Sequence, residues 1–197
     1  MSKGSLFVIS GPSGTGKGTV CAHLLKEDNI FLSISATTRD RRVGETEGET
    51  YYYKTREEFE KMIEAGEMLE YAVYGGNYYG TPKKAVTDMM DSGKNVILEI
   101  EPQGALKVKD QLPEAVLIFV VPPSIAELRK RLTERGREDD AEIERRINAA
   151  KWEFSQSPKY NYVIVNDDLE ACVKETLCII KSANDRQQMI EKLLSEI

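Results

Sequence analysis

Gly11-Pro12-Ser13-Gly14-Thr15-Gly16-Lys17-Gly18-Thr19 lies between a short apolar run, Leu6-Phe7-Val8-Ile9, and a helix-like stretch, Val20-Cys21-Ala22-His23-Leu24-Leu25. A glycine-rich turn that leaves a buried strand and enters a helix is the setting of a phosphate-binding loop. The backbone bends around an anion, its N–H groups and the positive helix end face that anion, and Lys17 adds a point charge for β and γ phosphates. The spacing fits G-x-x-x-x-G-K, with Gly18 where Ser or Thr usually follows the lysine. This removes the hydroxyl expected on magnesium, and whether Thr19 replaces it is open. The flanking strand and helix weigh against a purely structural turn.

A chain of 197 residues, 41% hydrophobic and 30% charged, reads as a globular protein able to bury a substantial core, most simply as one domain with an insertion. With 27 basic and 33 acidic residues the net charge is −6, which argues against a nucleic-acid partner bound through its phosphate backbone. Cys21, Cys172 and Cys178 form no C-x-x-C or Cys/His cluster, so reduced thiols in a cytoplasm are the simplest account. No stretch reads as a signal peptide or as a span of ~20 apolar residues, so no membrane partner is expected. His23 falls on the first helix without a partner motif, and a surface or packing role is expected for it.

Further along, Phe31-Leu32-Ser33-Ile34-Ser35-Ala36 alternates as a second strand and runs into Thr37-Thr38-Arg39-Asp40-Arg41-Arg42, an arginine cluster suited to an anion. Thr55 and Glu58 form a capping box for a helix carrying Phe59, Met62 and Ile63. Gly75-Gly76-Asn77 between tyrosine-rich runs signals a hairpin. Residues 37–85 thus read as a mixed β/α insertion, and seven of the nine tyrosines lie between 51 and 79. Most of these suit a small core, but flat rings with a hydroxyl also suit a stacked base and its phosphate.

Pro82 fits the first turn of the next helix. Asn95–Glu101 predicts a strand ending in two carboxylates at the crevice where α/β folds bind ligands. Ala115–Val121, the most apolar run, predicts a central parallel strand, and Tyr160–Asn166 a fifth. Between them, Arg135-Gly136-Arg137 followed by Arg145-Arg146 suggests a flap whose arginines fold over a triphosphate. Ile190, Leu193, Leu194 and Ile197 mark one face of the last helix, which either docks on the domain or pairs with a partner subunit.

Six segments in order resemble the guanylate kinase family: G-P-S-G-T-G-K-G at 11–18, S-A-T-T-R at 35–39 with Arg42 and Gly44-Glu45 following, G-N-Y-Y-G-T at 76–81, P-Q-G at 102–104, R-L-x-x-R-G at 131–136 and V-I-V-N-D-D at 163–168. The resemblance runs from about Ser5 to about Ile180. It implies an α/β fold, a P-loop core with a mainly parallel five-stranded sheet flanked by helices, over 1–36 and 86–197. A small helical lid at about 134–146 and an inserted GMP-binding subdomain at 37–85 are implied with it. The implied reaction transfers the γ-phosphoryl group of ATP to GMP, giving ADP and GDP.

By the same resemblance Gly11, Pro12, Ser13, Gly14, Thr15, Gly16, Lys17, Gly18 and Thr19 would hold ATP, with Arg135 on its phosphates and Asn166 at the adenine. Arg39 and Arg42 would grip the GMP phosphate with the hydroxyls of Tyr51 and Tyr79, a task that suits a planar fork. Ser35, Glu70, Thr81 and Glu101 would read guanine, whose N–H donors want carboxylates and whose O6 wants a hydroxyl. Such a site can reject adenine on the order of 10⁴-fold. Lys17, Arg39, Arg135 and Arg146 would be catalytic, offsetting charge on the moving phosphoryl group. Mg²⁺ would arrive on the ATP phosphates without direct protein ligands, near Thr19 or Glu99. The family commonly has aspartates where this chain has Glu99 and Glu101.

Two rivals remain to be separated. One is a guanylate-kinase-like binding module without catalysis, which the intact Lys17 and Arg39 weigh against; the other is a kinase for another monophosphate, which Glu70 and Thr81 weigh against. Acceptance of dGMP, and monomer against homodimer, stay open.

Overall fold

The computed structural model describes residues 3–134 and 139–196. In chain order the first half comprises β1 (Leu6–Ser10), α1 (Lys17–Leu24), β2 (Ile30–Leu32), β3 (Ala36–Thr37), β4 (Tyr52–Tyr53), α2 (Arg56–Glu64), β5 (Met68–Tyr74) and β6 (Asn77–Pro82). The second comprises α3 (Lys83–Asp91), β7 (Asn95–Glu99), α4 (Pro102–Gln111), β8 (Val116–Val121), α5 (Ile125–Glu134), α6 (Asp140–Ser155), β9 (Tyr162–Val165) and α7 (Leu169–Ser195).

Five strands form one parallel sheet in the order β2-β7-β1-β8-β9. Side chains alternate across it, so Leu6 and Val8 share a face with Leu98, Leu117 and Phe119, whereas Phe7 and Ile9 share the other with Ile97, Ile118 and Ile164. Helices α3 and α4 cover the first face through Val86, Met90, Ala105 and Val108; α1 and α7 cover the second through Val20, Leu24, Ile179 and Ile180. Burial on both faces explains why these strands read as unbroken apolar runs. Each fully buried side chain contributes roughly 1.5–3 kcal/mol relative to exposure. The chain leaves β1 toward β2 on one side and reaches β8 on the other, so the carboxyl ends of β1 and β7 flank the crevice where such sheets take ligands.

A second sheet, ordered β4-β3-β6-β5, sits on the segment between β2 and α3. Its hairpin turns at Gly75-Gly76, with Tyr74 opposite Asn77. The capping box is present: Thr55 Oγ1 accepts from Glu58 N at 3.1 Å, and Glu58 Oε2 accepts from Thr55 N at 2.7 Å. Ala36, Phe59 and Met68 make a small core, and the Tyr78 ring stacks on Phe59 at 5.1 Å.

Several predicted boundaries move. Phe31–Ala36 is two strands rather than one: β2 pairs with β7 as far as Leu32, then the chain turns, and Ala36 and Thr37 pair with Gly80 and Tyr79 in the other sheet. β7 stops at Glu99, because Glu101 already stands at the N-terminal boundary of α4. Pro82 ends β6 and precedes α3 rather than lying in its first turn. β9 is shorter than Tyr160–Asn166 and follows a 3₁₀ turn at Ser157–Lys159.

In the stretch expected to form a lid, Glu134 ends α5 and Asp139 caps α6 by accepting from Glu142 N at 2.8 Å. Arg135 lies outside the described residues. Leu128 and Leu132 pack against Ile143, Ile147 and Ala150, which joins α5 to α6. Of the apolar face expected near the end of α7, Ile190, Leu193 and Leu194 are exposed rather than packed against the described residues, and Ile197 lies outside them. Among the described residues no helix is long and apolar enough to cross a membrane.

Candidate active site

The phosphate loop leaves β1 at Gly11 and enters α1 at Lys17. At Gly11 φ is +141° and a Cβ would lie 2.3 Å from Val120 O, so only a residue without one lets the loop cross β8 so closely. Gly16 precedes the helix at φ +88°, and there a Cβ would lie 2.4 Å from Asn166 Nδ2. That amide donates to Thr15 O at 2.8 Å, so Asn166 supports the loop from the end of β9. Thr15 is buried and its hydroxyl donates to Pro12 O at 3.0 Å. Lys17, only 8% exposed, donates from Nζ to Gly11 O at 2.6 Å and to Pro12 O at 3.0 Å. The loop's own carbonyls therefore fold the ammonium over the loop, where an anion held by the backbone N–H groups would meet it.

Arg146 of α6 donates from Nη1 to Ser13 Oγ at 2.5 Å, tying that helix to the loop. Gly14, Gly16, Thr19, Arg131, Glu134, Asn166, Asp167 and Leu169 line a cleft of about 400 Å³ beside the loop, within the range of small-ligand sites. Gly18 and Thr19 are exposed toward solvent. A Cβ on Gly18 would lie 3.5 Å from Glu99 Oε1, so a carboxylate stands beside the position where other loops carry a hydroxyl. His23 donates from Nδ1 to Thr19 O at 2.9 Å, a bond within α1.

A second cluster gathers on the smaller sheet. Arg39 is held by Glu45 through both terminal nitrogens, at 2.7 and 3.0 Å, and its Cζ lies 5.5 Å from the Tyr51 ring centroid. The hydrogen bonds to Glu45 push the Arg39 pKa further up and hold the Glu45 carboxyl down at about 2. Tyr51 and Tyr79 meet edge to face at 6.0 Å. Burial, then the neighbouring Tyr79, raise the Tyr51 pKa, and Arg39, Glu45 and Glu99 also act on it. Glu99 abuts Gly18 and its charge also acts on Tyr51, so one carboxylate is within electrostatic reach of both clusters. The Arg42 side chain is exposed; its backbone N–H donates to Glu45 at 2.8 Å.

Deeper in, Glu70 and Thr81 face each other across β5 and β6, and Thr81 Oγ1 donates to Glu70 Oε1 at 2.8 Å. Glu70 is 7% exposed, and burial raises its pKa. Its other oxygen would lie 2.7 Å from a Cβ on Gly104, in the first turn of α4. Ser35 is partly exposed and gives its carbonyl to Tyr52 N at 2.9 Å.

Glu101 stands at the start of α4, near enough to Glu153 of α6 for the two carboxyls to act on each other's ionisation. Burial and the Glu101 charge push Glu153 up to about 7, with Lys17 acting in the opposite sense. Because this pKa is raised above its unfolded value, the contribution of Glu153 to stability is present below about pH 4.5 and lost as pH rises through about 7. Glu153→Gln is expected to flatten the dependence of Tm on pH across that window and to raise Tm at pH 8, as read by calorimetry. An unchanged pH profile would contradict the pairing.

A sequence profile of guanylate kinase matches residues 3–183. The chain belongs to the guanylate kinase family. It is 53% identical over 192 residues to the guanylate kinase of Halalkalibacterium halodurans, covering 96% of this chain and 94% of that protein. It is 49% identical over 191 residues to the guanylate kinase of Clostridium tetani, covering 97% and 92%. The crystal structure of guanylate kinase from Anaplasma phagocytophilum superposes with a TM-score of 0.73 at 38% identity, covering 92% of this chain and 86% of that one. As a guanylate kinase the chain is an ATP:GMP phosphotransferase, which phosphorylates GMP to GDP.

Sequence reasoning did not single out three residues that stand among these clusters. Glu45 was visible only as a member of the Gly44-Glu45 pair. Arg131, which donates to Asn166 O at 2.9 Å, lay within the R-L-x-x-R-G segment. Glu153 carried no sequence signal, because its partner Glu101 lies on a different element.

Proposed function

We propose that the two clusters clasp ATP and GMP tail to tail, so that the γ-phosphoryl group passes in line between them. In this reading residues 37–85 carry the GMP site, and 1–36 with 86–197 carry the ATP site and a lid at about 134–146. Backbone N–H groups from Gly11 to Thr19 hold the ATP phosphates, and Lys17 neutralises charge as it moves. The hydrogen bond between Arg146 and Ser13 supports a role for Arg146 at the same phosphates; Arg135, outside the described residues, is assigned to them as well. Asn166 is assigned to the adenine edge of the cleft. Arg39, Arg42, Tyr51 and Tyr79 take the acceptor phosphate, and Ser35, Glu70, Thr81 and Glu101 take guanine.

The observation that carries this reading is the buried Glu70. A carboxylate kept from water with one hydroxyl donor retains capacity for guanine's N1–H and exocyclic amine.

Mg²⁺ fits the donor set as a guest of the nucleotide. Among the described residues no group of three or more His, Cys, Asp or Glu could hold a metal ion, while Glu99 stands at the loop beside Gly18 and Thr19. Water and phosphate oxygens would complete its shell, and the ion would draw charge from the β and γ phosphates. We place the protein in the cytoplasm, consistent with Cys21, Cys172 and Cys178 being unpaired thiols.

The test is a screen of GMP, dGMP, AMP, UMP and CMP as acceptors from ATP under identical conditions. GMP is expected to be the preferred ribonucleotide. Equal use of AMP would overturn the role of Glu70, and no GDP above background would favour a binding module.

A further inference from the structure

Glu45 has an unusual share of the hydrogen bonds around the acceptor-phosphate cluster. Its Oε1 accepts from Arg39 Nη2 at 2.7 Å. Its Oε2 accepts from Arg39 Nη1 at 3.0 Å, from Arg42 N at 2.8 Å and from the Tyr53 hydroxyl at 2.8 Å. Three of these four bonds fall on Oε2, which leaves that oxygen nothing for a nucleotide N–H, while Oε1 is engaged by the guanidinium. Its partner is not saturated. Arg39 Nη1 also donates to Asp40 O, at 2.7 Å, but Glu45 occupies only the Nη1/Nη2 edge of the guanidinium. Glu45 leaves the adjoining edge, formed by Nε and the second hydrogen of Nη2, to other partners: the Tyr51 ring and the Tyr79 hydroxyl stand beside the guanidinium, where a second anion would meet all three.

We propose that Glu45 is the positioning residue of the acceptor-phosphate site, holding Arg39 by one edge and the Arg42 backbone by another contact so that the adjoining edge of Arg39 is aimed at the monophosphate. This rests on the functional reading above and adds to it a residue that need not touch substrate. The pair is largely enclosed, with Arg39 and Glu45 side chains 13% and 18% exposed, so the fork is fixed before any ligand arrives. A preset guanidinium loses little freedom on binding and gains two parallel bonds to phosphate. Tyr53 acts one step further out: its hydroxyl holds the carboxylate, and its backbone N–H is held by Glu47 at 2.9 Å.

The experiment compares GMP with guanosine, which lacks the phosphate, by titration calorimetry on the full chain, alongside the KM for ATP. Glu45→Gln is expected to weaken GMP binding about tenfold, because hydrogen bonds to an ionised group are roughly twice as strong as neutral ones. Guanosine binding and the KM for ATP should change less than twofold. Tyr53→Phe keeps the carboxylate and should weaken GMP about threefold with guanosine again unmoved, which guards against a Glu45 variant that folds poorly. If Glu45→Gln weakens GMP and guanosine by the same factor, the residue merely holds the small sheet together and the proposal fails. GMP affinity that survives both substitutions overturns it as well. Failure of the unsubstituted chain to bind GMP would overturn the functional reading itself, a result distinct from either.

Discussion

Lys17→Ala is expected to lower kcat about a thousandfold or more while leaving the fold intact. In phosphoryl transfer the protein supplies little covalent chemistry, and most of the barrier is lowered by positioning and by charge placed where it develops. Removing one preorganised donor from such a site costs on the order of 10²–10³ in rate, and Lys17 is a full charge in a largely water-excluded position. Two of its three N–H donors are used by Gly11 O and Pro12 O, which fixes where the third can point. Arginine is a poor replacement, since a longer planar group does not fit a site where the ammonium is held at 2.6 and 3.0 Å. Stability should change little, because the truncation removes a desolvated charge along with its two carbonyl contacts. The check is single-turnover kinetics together with a thermal melt. A residual rate within tenfold of the unsubstituted chain would show that the loop holds its nucleotide without this charge.

The parts of this molecule that could be read from sequence are those whose physics is local. The loop was legible because strand, glycine bend, lysine and helix follow one another directly, and the Thr55–Glu58 capping box because its hydrogen bonds span one turn. Phe31–Ala36 misled because alternation reports that a stretch is extended and not which sheet it joins; the split at Ser33 depends on Gly80 and Tyr79, more than forty residues on. The tyrosines divided for a similar reason. Tyr78 stacks on Phe59 as core, whereas Tyr51 and Tyr79 flank Arg39, and only the pairing of β3 with β4 and β6 decides between those fates. Arg39 was conspicuous as one of a basic cluster, but the job of Glu45 depends on a turn that brings its carboxylate back onto the guanidinium. The carboxyl pair of Glu101 and Glu153 lies beyond sequence reading altogether, since nothing but the packing of α6 against the sheet makes them neighbours.

Glu70→Gln should separate recognition of the acceptor from everything else the protein does. The carboxylate is buried, its pKa is raised by that burial, and Thr81 Oγ1 donates to it at 2.8 Å. Ionised, it accepts from both guanine donors; the amide that replaces it accepts through one oxygen and turns its own N–H₂ toward the second donor. Hydrogen bonds to charged groups contribute roughly 1.5–3 kcal/mol each, so loss or reversal of two implies a fall in kcat/KM for GMP on the order of 10²–10⁴. The same exchange removes a carboxylate that the fold holds away from water, so the variant should melt at a temperature equal to or above that of the unsubstituted chain. This opposition of signs is the diagnostic. A structural carboxylate, once replaced, lowers Tm and weakens ATP and GMP alike, whereas a recognition carboxylate costs affinity for one substrate and relieves strain in its absence. The KM for ATP at saturating GMP should stay within twofold, since among the described residues no hydrogen bond joins the phosphate loop to β5 or β6. Should ATP and GMP suffer equally, guanine is read by some other group, and the pairing of Glu70 with Thr81 serves only to join two strands.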